Sequence, residues 1–370
     1  MKQRRGVFAL VVLVVLASSI ALLAQKKDDK KQDEAQKKEI QNIVKIVDDL
    51  TAGQPAPNDL SLAWLREDVL KAQGNKEYVP FTISIDPSKL AGGNVAFYWR
   101  VVSKAAAAPA VEPAAGQKKD DKKDKDKDKD KDKDKDKDKD KAKKPDYAYE
   151  DISFVPLAAG QNPMRISRSF TVPAGTYDVY LVAKEPTPDK PPKNAPAPKT
   201  SAIRQTVTVP DFWNNEFATS SVIIAQRIDP LAAPLTPQQQ ADRPYALGQM
   251  EILPTFDTRF TKKAELSTFM LIYNPKVDKD NKPDVSIEYN FYQKQSGAPE
   301  KFFNKTNPQN LNAQTLPPQF DLAAGHQLQS GQAVPLASFP EGDYRLEIKV
   351  TDKIANKTLT REISFTVSPA

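Results

Sequence analysis

The chain has 370 residues, with 54 basic and 48 acidic side chains, 31 Pro, 13 Gly, one His and no Cys. That length suits two domains, and the absence of thiols excludes a disulfide framework, a Cys nucleophile, a thiolate metal site and a lipid-modified N-terminal Cys. Residues 1–24 carry three unopposed bases, residues 117–146 carry 15 Lys against 12 Asp, and the rest is formally neutral, so no folded face concentrates the positive charge a nucleic-acid binder needs.

Residues 1–5 are basic, residues 7–24 are apolar, and a charged run begins at Gln25. This order is that of a secretory signal ending near Ala24. The apolar run is also just long enough to serve as an N-terminal membrane anchor. In either case the remainder is exported to the periplasm, cell surface or medium. Residues 25–75 read as a charged tether followed by an amphipathic helix. In that helix Ile40, Ile43, Val44, Val47 and Leu50 recur at helical spacing and Gly53 supplies a stop. Such a helix either packs on the first domain or self-associates as a stalk. Trp64, in LSLAWLREDVL, reads as a further helix-face packing residue.

From Tyr78 the period changes to two. Val79, Phe81, Ile83 and Ile85 alternate with polar or small residues, as do Val95, Phe97, Trp99 and Val101. Trp99 is expected in the core. Further short strands fit 149–157, 166–172, 176–184, 201–209 and 219–227, which predicts a first β-sandwich over residues 76–228. Two segments interrupt it. Residues 104–146 are Ala/Pro-rich and then become a strict Lys-Asp alternation, which has no apolar side chain to offset the entropy of ordering. Residues 186–199 are Pro-rich and lean toward polyproline II. The heptapeptide QKKDDKK occurs at both Gln25–Lys31 and Gln117–Lys123, which assigns both charged tracts a spacer role.

Residues 229–243 form a Pro-rich connector. Within it Thr236, Pro237 and Gln239 spell the start of a short helix with a capping box. A second β-sandwich is predicted over 244–370. Leu266–Tyr273 is apolar on both strand faces, Val285, Ile287, Tyr289 and Phe291 share one face, and 344–350 and 359–367 alternate.

The segment PAGTYDVYLVAKE (173–185) aligns with PEGDYRLEIKVTD (340–352) at an offset of 167, and each is followed by a loop and a closing strand. Repetition of this kind points to tandem copies of one module. The shared P-x-G-x-Y pattern predicts a corner. Gly permits the sharp bend, and Tyr177 or Tyr344 turns its ring inward and returns its hydroxyl to nearby backbone. On these residues the chain resembles exported bacterial proteins built from tandem immunoglobulin-like or fibronectin-III-like modules. The Cys-Trp-Cys pattern of antibody-type domains is absent. The resemblance implies a mainly β fold with binding or structural roles and transfers no catalytic residue.

A search for chemistry returns little. No phosphate-binding loop, dinucleotide fingerprint or nucleophile elbow is present, and no cofactor is implied. His326 lies in a small polar loop without a nucleophile nearby in sequence. DKDNKPD (278–284) departs from a calcium loop at Pro283, where Gly is needed, and at Tyr289, where Glu is needed, and it reads as a hairpin turn. Sequons at Asn304 and Asn356 match chance expectation. No metal site is expected. Phe212, Trp213 and Phe217 cluster after a strand end, either as packing or as an exposed platform for a sugar ring or partner. The sequence therefore predicts a non-enzymatic exported binding or structural protein whose partner is a protein or a surface polysaccharide. The alternative is a carbohydrate- or cell-wall-binding module using exposed aromatics. Contact with a membrane is expected only through a retained anchor.

Overall fold

A computed structural model describes residues 37–90, 93–104, 147–156, 162–187, 194–295 and 297–369. The expectations for the leader, the first tether, the Lys-Asp insertion and the middle of the Pro-rich loop fall outside those residues. The chain is mainly β with several sheets. Among the described residues no helix is long and apolar enough to cross a membrane.

The amphipathic pattern after residue 37 forms helix α1 over residues 37–51. Eight strands follow in the first half: β1 (Ala63–Glu67), β2 (Leu70–Lys71), β3 (Glu77–Ile85), β4 (Asn94–Ser103), β5 (Tyr149–Pro156), β6 (Met164–Val172), β7 (Gly175–Lys184) and β8 (Thr200–Val209). They make two four-stranded sheets. In one, β3 lies between β6 and the pair β1 and β2; in the other the order is β5-β4-β7-β8. The period-two residues Val79, Phe81, Ile83 and Ile85 of β3 meet Val95, Phe97, Trp99 and Val101 of β4 in one core, as alternation requires. Trp99 is 2% exposed there.

The second half holds β9 (Ala218–Thr219), β10 (Ile223–Pro230), helix α2 (Pro237–Asp242), β11 (Ala246–Leu247), β12 (Met250–Pro254), β13 (Arg259–Thr261), β14 (Glu265–Tyr273), β15 (Val285–Gln295), β16 (Ala298–Lys305), β17 (Gln309–Leu311), β18 (Leu328–Pro335), β19 (Gly342–Asp352) and β20 (Lys357–Ser368). One six-stranded sheet runs β11-β12-β10-β14-β18, with β9 also on β14. The other runs β13-β20-β19-β15-β16, with β17 also on β15. The pairing order of the first half recurs: β14 lies between β10 and β18 as β3 does between β1 and β6, and β15 lies between β16 and β19 as β4 does between β5 and β7.

The halves share apolar packing. Phe269, Leu271 and Tyr273 of β14 join the first core, while Leu266, Met270 and Ile272 join the second. Strand β14 is thus buried on both faces, which explains why its second half, Phe269–Tyr273, is apolar at every step. Helix α1 does not stand away as a stalk. Its Ile43 and Val47, both fully buried, pack on Ala96, Tyr98, Tyr180, Val182 and Ala202, on the outer face of the β4-β7-β8 sheet.

Two local expectations need correction. Trp64 lies in strand β1 and not on a helix. Leu60, Leu62 and Trp64 carry a period of two, Trp64 pairs with Ile83, and its ring stacks on Phe81 at 4.9 Å between centroids. The strand expected at 219–227 divides around residues 220–222 into β9 and β10, and both pair with β14. The capping box forms as read: Gln239 N–H donates to Thr236 Oγ1 at 3.3 Å and the Gln239 side chain accepts from Thr236 N–H at 3.0 Å.

Candidate functional site: a cleft between the two halves

Both P-x-G-x-Y segments make the predicted corner. The Tyr177 hydroxyl donates to the Pro173 carbonyl at 2.8 Å, and that of Tyr344 to the Pro340 carbonyl at 2.7 Å. Gly175 and Gly342 sit at φ +154 and +142, where a side chain would be strained. These tyrosines are 5% and 0% exposed, so their role is to fix the start of the closing hairpin.

The three aromatics after β8 do not share a surface. Phe212 is 3% exposed and its ring lies 4.7 Å from that of Tyr273 in the first core, while Phe217, 7% exposed, joins the second. Only Trp213 is substantially exposed. Its Nε1–H donates to the Lys76 carbonyl at 3.1 Å, and Lys71 Nζ sits 4.2 Å over its ring. The physical reason is the seam between the halves: a linker crossing it gains more by placing a ring in each core than by exposing three. His326 is an exposed loop residue whose Nδ1 accepts from Asp321 N–H at 3.0 Å. In DKDNKPD, Asp278 Oδ1 accepts from the Asp280 and Lys282 amides, which closes a turn. Among the described residues no group of three acidic or imidazole side chains is placed to hold a metal ion.

The seam itself holds a polar cluster that sequence reading missed. Arg66 donates bidentately to Asp68 at 2.6 and 2.6 Å and also to the Val222 carbonyl at 2.8 Å. Tyr245 donates to Asp68 Oδ2 at 2.9 Å. Asp68 is 1% exposed. Burial opposes the charge on Arg66, but the hydrogen bonds and charge of Asp68 outweigh it and hold the guanidinium above its usual pKa. Burial, then the Asp68 charge, pushes the Tyr245 phenol well up. Val69 N–H donates to Ser221 Oγ, and Ser221 N–H returns to the Val69 carbonyl at 3.1 Å. Nearby, Glu77 Oε1 accepts from Phe212 N–H at 3.0 Å while Oε2 is buried without a partner. Burial raises its pKa to about 7, against the pull of that N–H.

Beside this cluster an open cleft of about 640 Å³ separates the halves. Its walls come from β1, the end of β8, the segment 210–222 and the middle of β20. Its acidic side chains are all engaged. Glu67 accepts from Trp64 Nε1–H, Asp211 from Trp213 N–H, Glu216 pairs with Lys357, and Glu362 with Arg345. Arg361 differs. It donates from Nε to Thr219 Oγ1 at 2.9 Å and makes a longer contact, 3.4 Å, to the Thr360 carbonyl, and among the described residues it meets no carboxylate. Burial lowers its pKa below the usual guanidinium value. That longer contact is made by Nη1, so Nη2 of this half-buried guanidinium is left without a hydrogen-bond partner among the described residues and can donate to a carboxylate.

No protein-family model matches the chain, and no curated protein matches it. Among solved structures it is similar to a crystal structure of trypsin-activated alpha-2-macroglobulin from Escherichia coli, at 10% identity and a TM-score of 0.22, over 85% of this chain and 17% of that one. It is also similar to a cryo-EM reconstruction of the native conformation of E. coli alpha-2-macroglobulin, at 11% identity and a TM-score of 0.20, over 85% of this chain and 16% of that one. The chain thus spans a small part of those proteins' length.

Proposed function

We propose that the chain is a non-enzymatic, exported binding or structural protein that engages a protein partner through two tandem immunoglobulin-like sandwiches. The observation that carries the fold reading is the shared pairing order of the two halves, each closed by a hairpin whose tyrosine hydroxyl returns to a proline carbonyl four residues back. The basic-then-apolar N-terminus supports export. The cleft between the halves supports binding, because the buried Arg66–Asp68 pair fixes one wall and Arg361, on the other, meets no carboxylate among the described residues.

The test uses the chain from residue 25 onward, incubated separately with solubilised envelope proteins and with cell-wall polysaccharide. Capture of one discrete protein, reproduced with that protein purified, is the expected result. Salt-resistant co-sedimentation with polysaccharide, binding to neither, or a hydrolytic activity abolished by one substitution overturns this reading.

A further inference from the structure

Strand β20 pairs with β19 over Lys357–Val367, but among the described residues its other edge is occupied only at Thr366–Ser368, by the three residues of β13. Thr366 N–H donates across that edge to the Thr258 carbonyl at 2.9 Å. In an antiparallel ladder alternate residues point their amides to the same side. The amides and carbonyls of Thr358, Thr360, Glu362 and Ser364 therefore also face the open edge. Among the described residues no strand pairs there. The stretch opens into the cleft, which Arg361, Glu362 and Ile363 line. Arg361 shares the inward face with Leu359, Ile363 and Phe365, the latter two opposite Leu346 and Tyr344.

An incoming strand at this edge would continue the line that β13 begins. The side chain it placed beside Arg361 would lie on the same face at cross-strand contact distance. The charge of Arg361 and its free Nη2 select what that side chain is, since every acid in the lining is already engaged by a donor and none of them reaches Arg361. We propose that the edge of β20 over Thr358–Ser364 is a docking strand for an extended partner segment carrying an aspartate or glutamate whose carboxylate pairs with Arg361. Main-chain hydrogen bonds supply affinity in this mode and the acidic residue supplies register. The inference rests on the reading of the chain as a binding protein and specifies where and how it binds.

The probe is a fluorescein-labelled pool of nonapeptides, alternating Val and Thr around a central Asp, titrated by anisotropy against the full chain. A matched pool carries central Asn. Expected are saturable binding of the Asp pool and a loss of about ten- to a hundredfold with Asn, the range of a charge-assisted hydrogen bond. Arg361→Gln should give the same loss, and Arg361→Lys, lacking the fork, an intermediate one. N-methylation of alternate peptide amides should abolish binding in one register and spare it in the other, a result that needs no protein variant. Equal binding of the Asp and Asn pools, indifference to the methylation register, or no binding of either pool overturns the inference. If the partner captured by the full chain is retained undiminished by folded Arg361→Gln, the binding reading stands and the docking strand fails.

Discussion

Strands β7 and β19 make the same contacts on one face and opposite ones on the other. Inward, Tyr177, Val179 and Leu181 match Tyr344, Leu346 and Ile348, all buried. Outward, β7 presents Asp178, Tyr180, Val182 and Lys184, also all buried, whereas β19 presents Arg345, Glu347, Lys349 and Thr351, none of them buried. Helix α1 accounts for the difference at Tyr180, Val182 and Lys184, while Asp178 is held by Arg204 and Thr206. The helix covers Tyr180 and Val182 with Ile43 and Val47, and Glu39 reaches Lys184 at 2.5 Å with both side chains 7% exposed. The face of β19 carries a solvated charge ladder instead, with Arg345 between Glu300 and Glu362 at 2.8 Å each. A shared corner and pairing order thus fix a sandwich but not whether its outer face is bare. The second period in the sequence decides that, and it makes α1 an integral layer of the first half.

Substitutions at matched positions of β7 and β19 should differ most in effect. Lys184→Ala leaves the Glu39 carboxylate buried without its partner, and it should cost about 3–5 kcal/mol in chemical denaturation. Thr351→Ala, its counterpart in β19, should cost less than about 0.5 kcal/mol. The double change Glu39→Leu, Lys184→Met should recover most of the loss, because an apolar pair of similar volume needs no desolvation.

Next in size is the first residue of the matching central strands β3 and β14. Glu77 opens β3 and is 1% exposed, while Glu265 opens β14 and is exposed. The folded-state pKa of Glu77, about 7, lies above its ordinary 4.5. A raised carboxyl pKa favours folding at low pH, and the advantage is lost as the pH rises from 4.5 through about 7. Glu77→Gln keeps an acceptor for Phe212 N–H and should remove that loss, gaining about 3 kcal/mol at pH 8 and little at pH 4. Glu265→Gln, at an exposed position, should change stability by under about 0.5 kcal/mol, and melts at pH 4 and pH 8 read the contrast with Glu77→Gln.

The corners should behave alike. Tyr177→Phe and Tyr344→Phe each lose one hydroxyl bond to a proline carbonyl, and each should cost about 1 kcal/mol. The smallest effect is expected at Lys349→Ala, the exposed counterpart of Val182. It should shift stability by under about 0.5 kcal/mol, which a paired urea titration can verify.

Much of this was legible in sequence because local rules suffice. The strands at 79–85 and 95–101, the capping box at Thr236, the corner tyrosines and the amphipathic face of α1 all follow from period or spacing. What was missed depends on contacts between distant segments. Trp64 looked helical because LREDVL follows it, yet its ring stacks on Phe81. Strand β16 is exposed along almost its whole length and carries no periodic signal. Phe212 and Phe217 looked like one cluster but enter different cores, because the seam between the halves runs through their segment. Arg361 gave no signal at all. Its standing depends on which carboxylates lie near it in space, and Arg345, which meets Glu300, Glu347 and Glu362, is the contrast.

Helix α1, packed on the β4-β7-β8 sheet, and the two halves, joined by a strand buried on both faces, should unfold as one cooperative body. Scanning calorimetry of the full chain tests it most directly. A single transition is expected, with equal calorimetric and van't Hoff enthalpies, and Leu271→Ala, at the shared strand β14, should move it downward as a whole. Two resolved transitions, with Leu271→Ala shifting only one of them, would contradict it.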